Sequence, residues 1–227
     1  MAERQRKLTP ATLPGEIPVF PLPGAMLLPG GQLPLNIFEP RYLNMVEDAL
    51  SADRIIGMIQ PVAEKDERML GDGVVLYNIG CAGRLTQFME TDDGRYVITL
   101  TGVVRFRIAE ELDMRDGYRR VRADYTPFIG DITEAGSRET VAVNGRDRLV
   151  TAMARYFAIK GIEADMSNID EAPDALLVDT LAMTCPLEPG EKQALLECPD
   201  TQERAELLTS MFEIAAHEGG AGTHDLQ

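Results

Sequence analysis

The feature that most constrains this chain is a change of hydrophobic period near residue 126. Before it, apolar residues alternate or run in short blocks punctuated by Pro and Gly. After it, they recur at helical spacing. The first half reads as β-rich and the second as helical. With 227 residues, 44% of them hydrophobic, the chain can bury a core as one large domain or two small ones.

Charge follows the same division. Residues 1–125 carry 15 basic and 18 acidic side chains, a net of −3; residues 126–227 carry 7 and 19, a net of −12. The total of −15 opposes broad, non-specific nucleic-acid binding, which needs positive surface to displace counterions. The opening MAERQRKLTPATLPGE has charge but no apolar centre of a secretory signal, and no apolar run is long enough to span a bilayer. A reducing, cytoplasmic setting without membrane attachment is expected.

Ile17-Pro18-Val19-Phe20-Pro21-Leu22-Pro23 suits an edge or opening strand, because each proline lacks the N–H that a central ladder needs. Pro29-Gly30-Gly31 marks a turn, and Leu33, Leu35 and Ile37 alternate as in a half-buried strand. A helix is expected from Pro40, with Glu39 near its cap and Tyr42, Met45, Val46, Ala49 and Leu50 on one face. Residues 54–60 read as a buried strand and 63–73 as a charged loop. Val74 to Thr91 reads as one long or broken strand, Asp92-Asp93-Gly94 as a hairpin turn, and Gly102 as a bend or bulge between 96–101 and 103–108. Another strand covers 118–125. Several short strands with one early helix predict a partly closed β-barrel or curled sheet. Helices are expected over 138–159, 175–183 and 189–196. A last helix is capped by Asp200, with Glu203 three residues on as its capping-box partner. The tail from Glu218 is expected to be disordered.

The chemistry-bearing residues exclude more than they suggest. There is no GxxxxGK[ST] phosphate loop and no GxSxG elbow. The two histidines, His217 and His224, lie at or beyond the end of the last helix. Cys81, Cys185 and Cys198 are separated by 104 and 13 positions, with no CxxC, which is neither a disulfide framework nor a zinc pattern. No catalytic residue, cofactor or metal is expected. Glu39 and Arg41 stand at i and i+2, which on a helix do not share a face, so a cap and a loop brace are expected rather than a pair. Arg105 and Arg107 flank Phe106, and Arg119, Arg120 and Arg122 lie on another strand. Side by side they would form a basic stripe able to contact RNA. Alternatively Asp92, Asp93, Glu110, Glu111, Asp113, Asp116 and Asp124 neutralise it across strands. Met26, Leu27 and Leu28 before a turn, and Phe88-Met89 before the hairpin tip, are either core or the lining of a peptide groove.

Three ordered segments carry a family resemblance. Pro18-Val19-Phe20-Pro21-Leu22-Pro23, Pro29-Gly30 and Leu33-Pro34-Leu35-Asn36-Ile37-Phe38-Glu39-Pro40-Arg41-Tyr42 resemble the opening motif of the Lon protease N-terminal (substrate-binding) domain. Asp93-Gly94-Arg95-Tyr96, Gly102 and Arg105-Phe106-Arg107-Ile108 are similar to its second signature. Leu187 to Phe212 is similar to its helical part. The resemblance implies a PUA-like β-barrel followed by a C-terminal helical bundle. The expected divisions are a flexible 1–14, a barrel over 15–127, helices over 128–217 and a disordered 218–227. Full Lon proteases continue into ATPase and Ser-Lys protease modules that this sequence does not contain, so proteolysis does not carry over.

The resemblance implies a non-catalytic module that binds polypeptides: unfolded clients, partner proteins, or a full-length Lon protease. Met26, Leu27, Phe88 and Met89 are the candidate contacts, and Phe38, Glu39, Arg41 and Tyr42 the motif scaffold. RNA binding through Arg105, Arg107, Arg120 and Arg122 is the alternative, by fold analogy. An enzyme would require a closed pocket with convergent polar groups.

Overall fold

In the computed structural model, which describes residues 12–62, 73–133, 141–163, 169 and 171–221, the opening strand β1 (Glu16–Pro21) has neighbours on both sides. It pairs antiparallel with β6 (Tyr118–Asp124) through residues 16–19 and parallel with β3 (Ile55–Ile59) through residues 19–21. The edge position expected from its prolines is therefore corrected, and ladder phase explains why. The Ala123 N–H donates to the Gly15 carbonyl, so Gly15, Ile17 and Val19 face β6. Pro18 then turns its nitrogen to the β3 side, where pairing starts only at Val19. The Leu22 N–H donates to Ile59, so Pro21 turns its nitrogen the other way, beyond the last β6 pair. Neither ladder asks these prolines for an N–H.

The strands β2 (Gln32–Ile37), β4 (Ile79–Glu90) and β5 (Tyr96–Arg115) complete a six-stranded mixed sheet in the order β2-β5-β4-β3-β1-β6. An additional β5–β6 pairing returns the order to β5. The long β5 makes this possible: residues 96–107 pair with β4 and residues 107–115 with β6. A register shift places Gly102 opposite Gly83 and Val104 opposite Ala82, the bulge expected at Gly102. Helix α1 (Pro40–Ser51) begins after Glu39 and buries Tyr42, Met45, Val46 and Ala49. Within the sheet unit, Ile17, Val19, Ile55, Ile59, Ala82, Val104, Val121 and the fully buried Phe106 form the core. The Phe106 ring lies where a Cβ on Gly80 would stand, 2.8 Å from its Cζ. The class is α+β, as expected.

The chain divides into two compact units, residues 1–135 with 186–196, and residues 136–185 with 197–227. The division differs from one helical subdomain over 128–217. A 3-10 turn (Thr126–Phe128), the short α2 (Gly130–Thr133) and nearly all of α5 (Pro189–Glu197) group with the sheet. Buried amides explain α5: the Gln60 Nε2 donates to the Pro189 carbonyl at 3.0 Å, and the Gln193 Nε2 to the Ile79 carbonyl at 3.0 Å.

The second unit holds α3 (Arg146–Lys160), α4 (Asp174–Thr184) and α6 (Thr201–Ala221). Helices α3 and α6 join through Tyr156 and Phe212, stacked at 4.6 Å. Arg204 donates to Asp179 in a buried ion pair at 2.9 Å. Helix α3 starts at Arg146, after Gly145 at φ 82°, rather than at 138. Helix α6 runs to Ala221, past the tail boundary set at Glu218. The expectations for residues 1–11, 63–72, 138–140 and 222–227 lie outside the described residues. No helix among the described residues is long and apolar enough to cross a membrane.

Candidate functional site

The site begins with the turn that launches β2. Gly30, at φ 79°, donates its N–H to the Gly102 carbonyl, and Gly102 donates in return to the Gly31 carbonyl. The two glycines opposite one residue form a bulge that sets the phase of the whole strand. Leu33, Leu35 and Ile37 direct their backbone groups to β5, while Gln32, Pro34 and Asn36 direct theirs away from it. β2 ends the sheet order, so among the described residues that outer edge has no partner strand. Pro34, like the prolines of β1, sits where its missing N–H leaves the ladder intact.

Beside this edge lies an apolar groove of about 240 Å³. Phe20, Pro21 and Leu22 line one side; residues 34–39 and Tyr42 line the other. The two halves of the opening motif thus meet in one place. Tyr42 is buried, with its ring 4.3 Å from that of Phe20 and the Arg41 guanidinium 4.6 Å from its centroid. Burial pushes the Tyr42 phenol above its usual value; Arg41 opposes the shift and Glu39 adds to it. Phe38 is different: 63% of it is exposed. It is an open apolar surface, not the scaffold expected from the motif. Glu39 and Arg41 do form an ion pair, Nη2 to Oε2 at 2.8 Å, which corrects the expectation that they would not. Glu39 is the N-cap residue with extended backbone (φ −75°, ψ 133°), so helical spacing does not govern it. Its carboxylate makes no cap hydrogen bond, leaving it free to take Arg41.

The other apolar candidates separate. Met26 and Leu27 are buried in the core, so they are not surface contacts; the Leu27 side chain fills the space that a Cβ on Gly83 would take. Phe88 and Met89 are exposed, at 42% and 57%, but adjacent strand residues point to opposite faces. Phe88 packs edge-on against Tyr96 at 5.0 Å, and the Tyr96 hydroxyl donates to Glu47 at 2.7 Å. That bond to a carboxylate pushes the Tyr96 phenol up to about 12. Met89 instead pairs across the ladder with the exposed Val97 on the reverse face. Phe20, Leu22, Pro34 and Leu35, which line the groove, were missed as site residues. Their signal was the proline alternation on β1 and β2, which marks positions where a ladder does not ask for an N–H.

The basic stripe does not form as proposed. Arg105 is buried, 5% exposed, and grips Asp131 with Nε and Nη2 at 2.9 and 2.8 Å. It also donates to the Leu196 carbonyl and lies 4.8 Å from the Phe128 ring centroid. An RNA contact there is therefore corrected to an internal anchor. Arg119 is held by both carboxylate oxygens of Glu111, Arg120 by Glu16, and Arg122 by Glu16 and Glu110. The exposed Arg107 faces Asp124 across the ladder. Asp131 and Glu16 were the carboxylates not foreseen.

Cys81, Cys185 and Cys198 are buried thiols outside any disulfide. Among the described residues no group of three or more His, Cys, Asp or Glu side chains is placed to hold a metal ion. The arrangement offers apolar burial and backbone hydrogen bonds beside one exposed aromatic ring.

Comparison with known proteins places these features. A family model described as the ATP-dependent protease La (LON) substrate-binding domain matches residues 16–213. A Lon protease from Heliobacterium modesticaldum is 30% identical over 209 residues, 89% of this chain and 24% of that protein. Lon protease 2 from Myxococcus xanthus is 26% identical over 205 residues, 88% of this chain and 24% of that protein. The chain thus spans about a quarter of the length of these relatives. Among solved structures, a Lon N-terminal domain protein from Xanthomonas campestris superposes with TM-score 0.57 at 22% identity, covering 86% of this chain and 97% of that one. The N-terminal domain of a Mycobacterium avium complex Lon protease gives TM-score 0.57 at 17% identity, covering 87% and 97%.

Proposed function

The chain belongs to the Lon substrate-binding domain family, and from that premise we propose that it is a non-catalytic polypeptide-binding module whose contact surface is the groove beside β2. One observation carries the reading. The two halves of the family motif, 20–22 on one side and 34–39 with Tyr42 on the other, line a single apolar groove that leaves Phe38 open to solvent. Burying a large aromatic against a partner is the kind of contact that dominates interface energies. A few such anchors support micromolar affinity, about 8 kcal/mol, which suits recruitment and release of clients. The partners proposed are unfolded segments of client proteins, including those delivered to a Lon protease. The return of the strand order to β5 supports reading the sheet as a PUA-like barrel.

The test is binding of reduced, carboxymethylated α-lactalbumin, a permanently unfolded polypeptide, followed by fluorescence anisotropy. Phe38→Ala should weaken binding by about tenfold, whereas Leu176→Ala, at an exposed apolar residue of α4 outside the groove lining, should leave it unchanged. Equal effects of the two variants would place the contact elsewhere. The carboxylate pairing of Arg119, Arg120 and Arg122 weighs against an RNA-binding surface.

A further inference from the structure

We propose that the groove takes its occupant as an added β-strand on the outer edge of β2, and that this occupant is an extended apolar segment with a basic residue at the end lying by Phe38. The inference rests on the polypeptide-binding reading and specifies its geometry. Three observations lead to it.

The first is the unpaired edge. The bulge at Gly30 and Gly31 directs the backbone groups of Gln32, Pro34 and Asn36 away from β5, and β2 ends the sheet order. An extended chain beside β2 meets those groups in register at every second residue.

The second is an imbalance between donors and acceptors. Pro34 contributes a carbonyl and no N–H to the outer edge of β2. Across the groove Pro21 does the same, with its nitrogen side past the last β6 pair. Prolines at these positions discourage unselective edge-to-edge pairing. They leave acceptors, so an added strand must supply N–H donors and cannot itself carry proline where it faces Pro34. Its alternate side chains enter the apolar lining near Phe20, Leu22 and Phe38.

The third is charge. Ile37 pairs with Tyr96, whose hydroxyl holds Glu47 and whose partner on the next strand is Glu90. Glu39 follows Phe38 directly. Against these three carboxylates stand Arg41, already paired with Glu39, and Arg95, next to Tyr96 and already paired with Asp93. Arg119, which also acts on Tyr42, is held by Glu111. The Phe38 end is therefore acidic, and a cation on the occupant complements it.

Chemically modified peptides separate this proposal from simple apolar binding, because they leave the protein unaltered. The probe is a fluorescein-labelled peptide of about ten residues alternating Leu and Thr, made with its lysine at either end. Because side-chain face and amide direction alternate together, the Leu set fixes which amides face β2. N-methylation of one alternate set should weaken binding by about tenfold, and of the other set by less than about twofold. One lysine placement should bind several-fold tighter than the other, and its Lys→Glu version should lose that advantage. Equal effects of the two methylation sets would overturn strand addition while leaving apolar polypeptide binding in place. Equal affinity for the two lysine placements would overturn the charge assignment. Failure of every parent peptide to bind would overturn this proposal, and if α-lactalbumin also fails to bind, the polypeptide-binding reading falls with it.

Discussion

Arg105 and Arg120 look alike in the sequence, one on each of two arginine-bearing strands, and they do opposite work. Arg105 is buried on Asp131 and the Leu196 carbonyl; Arg120 reaches the half-exposed Glu16. Removing one partner of a buried ion pair strands the other charge out of water, at about 3–5 kcal/mol. Arg105→Met should therefore cost that much in urea denaturation, and Arg120→Met no more than about 1 kcal/mol. Equal losses would contradict the burial of Arg105. Phe38 makes the converse case. Its exposure means Phe38→Ala should change stability by less than about 0.5 kcal/mol, measured as a shift in urea midpoint. Alternation alone could not distinguish these residues. Which arginine is buried depends on where Asp131 returns, 26 positions later. Likewise, pairing of Glu39 with Arg41 depends on the backbone leaving the helix one residue before Pro40.

At the scale of elements, local chemistry was largely legible. Pro40, the Asp93-Gly94 turn, the Gly102 bulge and the Asp200 cap all stand where residue preferences put them; the Glu203 N–H donates to Asp200 Oδ1 at 2.9 Å. Non-local pairing was not. β1 reads as an edge because its prolines are visible while the change of neighbour at Val19 is not. Helix α5 joins the sheet through glutamine amides that no hydrophobic period reports. Helix α1 is tied to the sheet by two phenol–carboxylate bonds, Tyr96 to Glu47 and Tyr118 to Asp48 at 2.6 Å. The bond to Glu47 raises Tyr96 to about 12; burial, with Asp48 adding to it, raises Tyr118 to about 12. A phenol whose folded value is raised stabilises the fold while protonated. That contribution is complete below the ordinary value of 10 and is lost as pH rises toward 12. Urea midpoints between these pH values should fall more steeply for the native chain than for a Tyr96→Phe, Tyr118→Phe double variant. Parallel slopes would show that the phenols do not link α1 to the sheet.

For the whole molecule, the change of period correctly announced an α+β chain, and the ordered motifs pointed to the Lon substrate-binding domain. The groove itself was hidden because its two walls are 12 or more residues apart and meet only when β1 and β2 take their places in the sheet. Met26 and Leu27 read as either core or groove lining for the same reason: an apolar run before a turn is ambiguous until the turn is anchored, here by Gly30 and Gly102. The most direct measurement of the central claim is backbone amide NMR with reduced, carboxymethylated α-lactalbumin added to the protein. Polypeptide binding in the groove predicts shifts concentrated at Phe20, Leu22 and residues 35–38. Shifts confined to helices α3, α4 and α6, or to the arginines of β5 and β6, would contradict it.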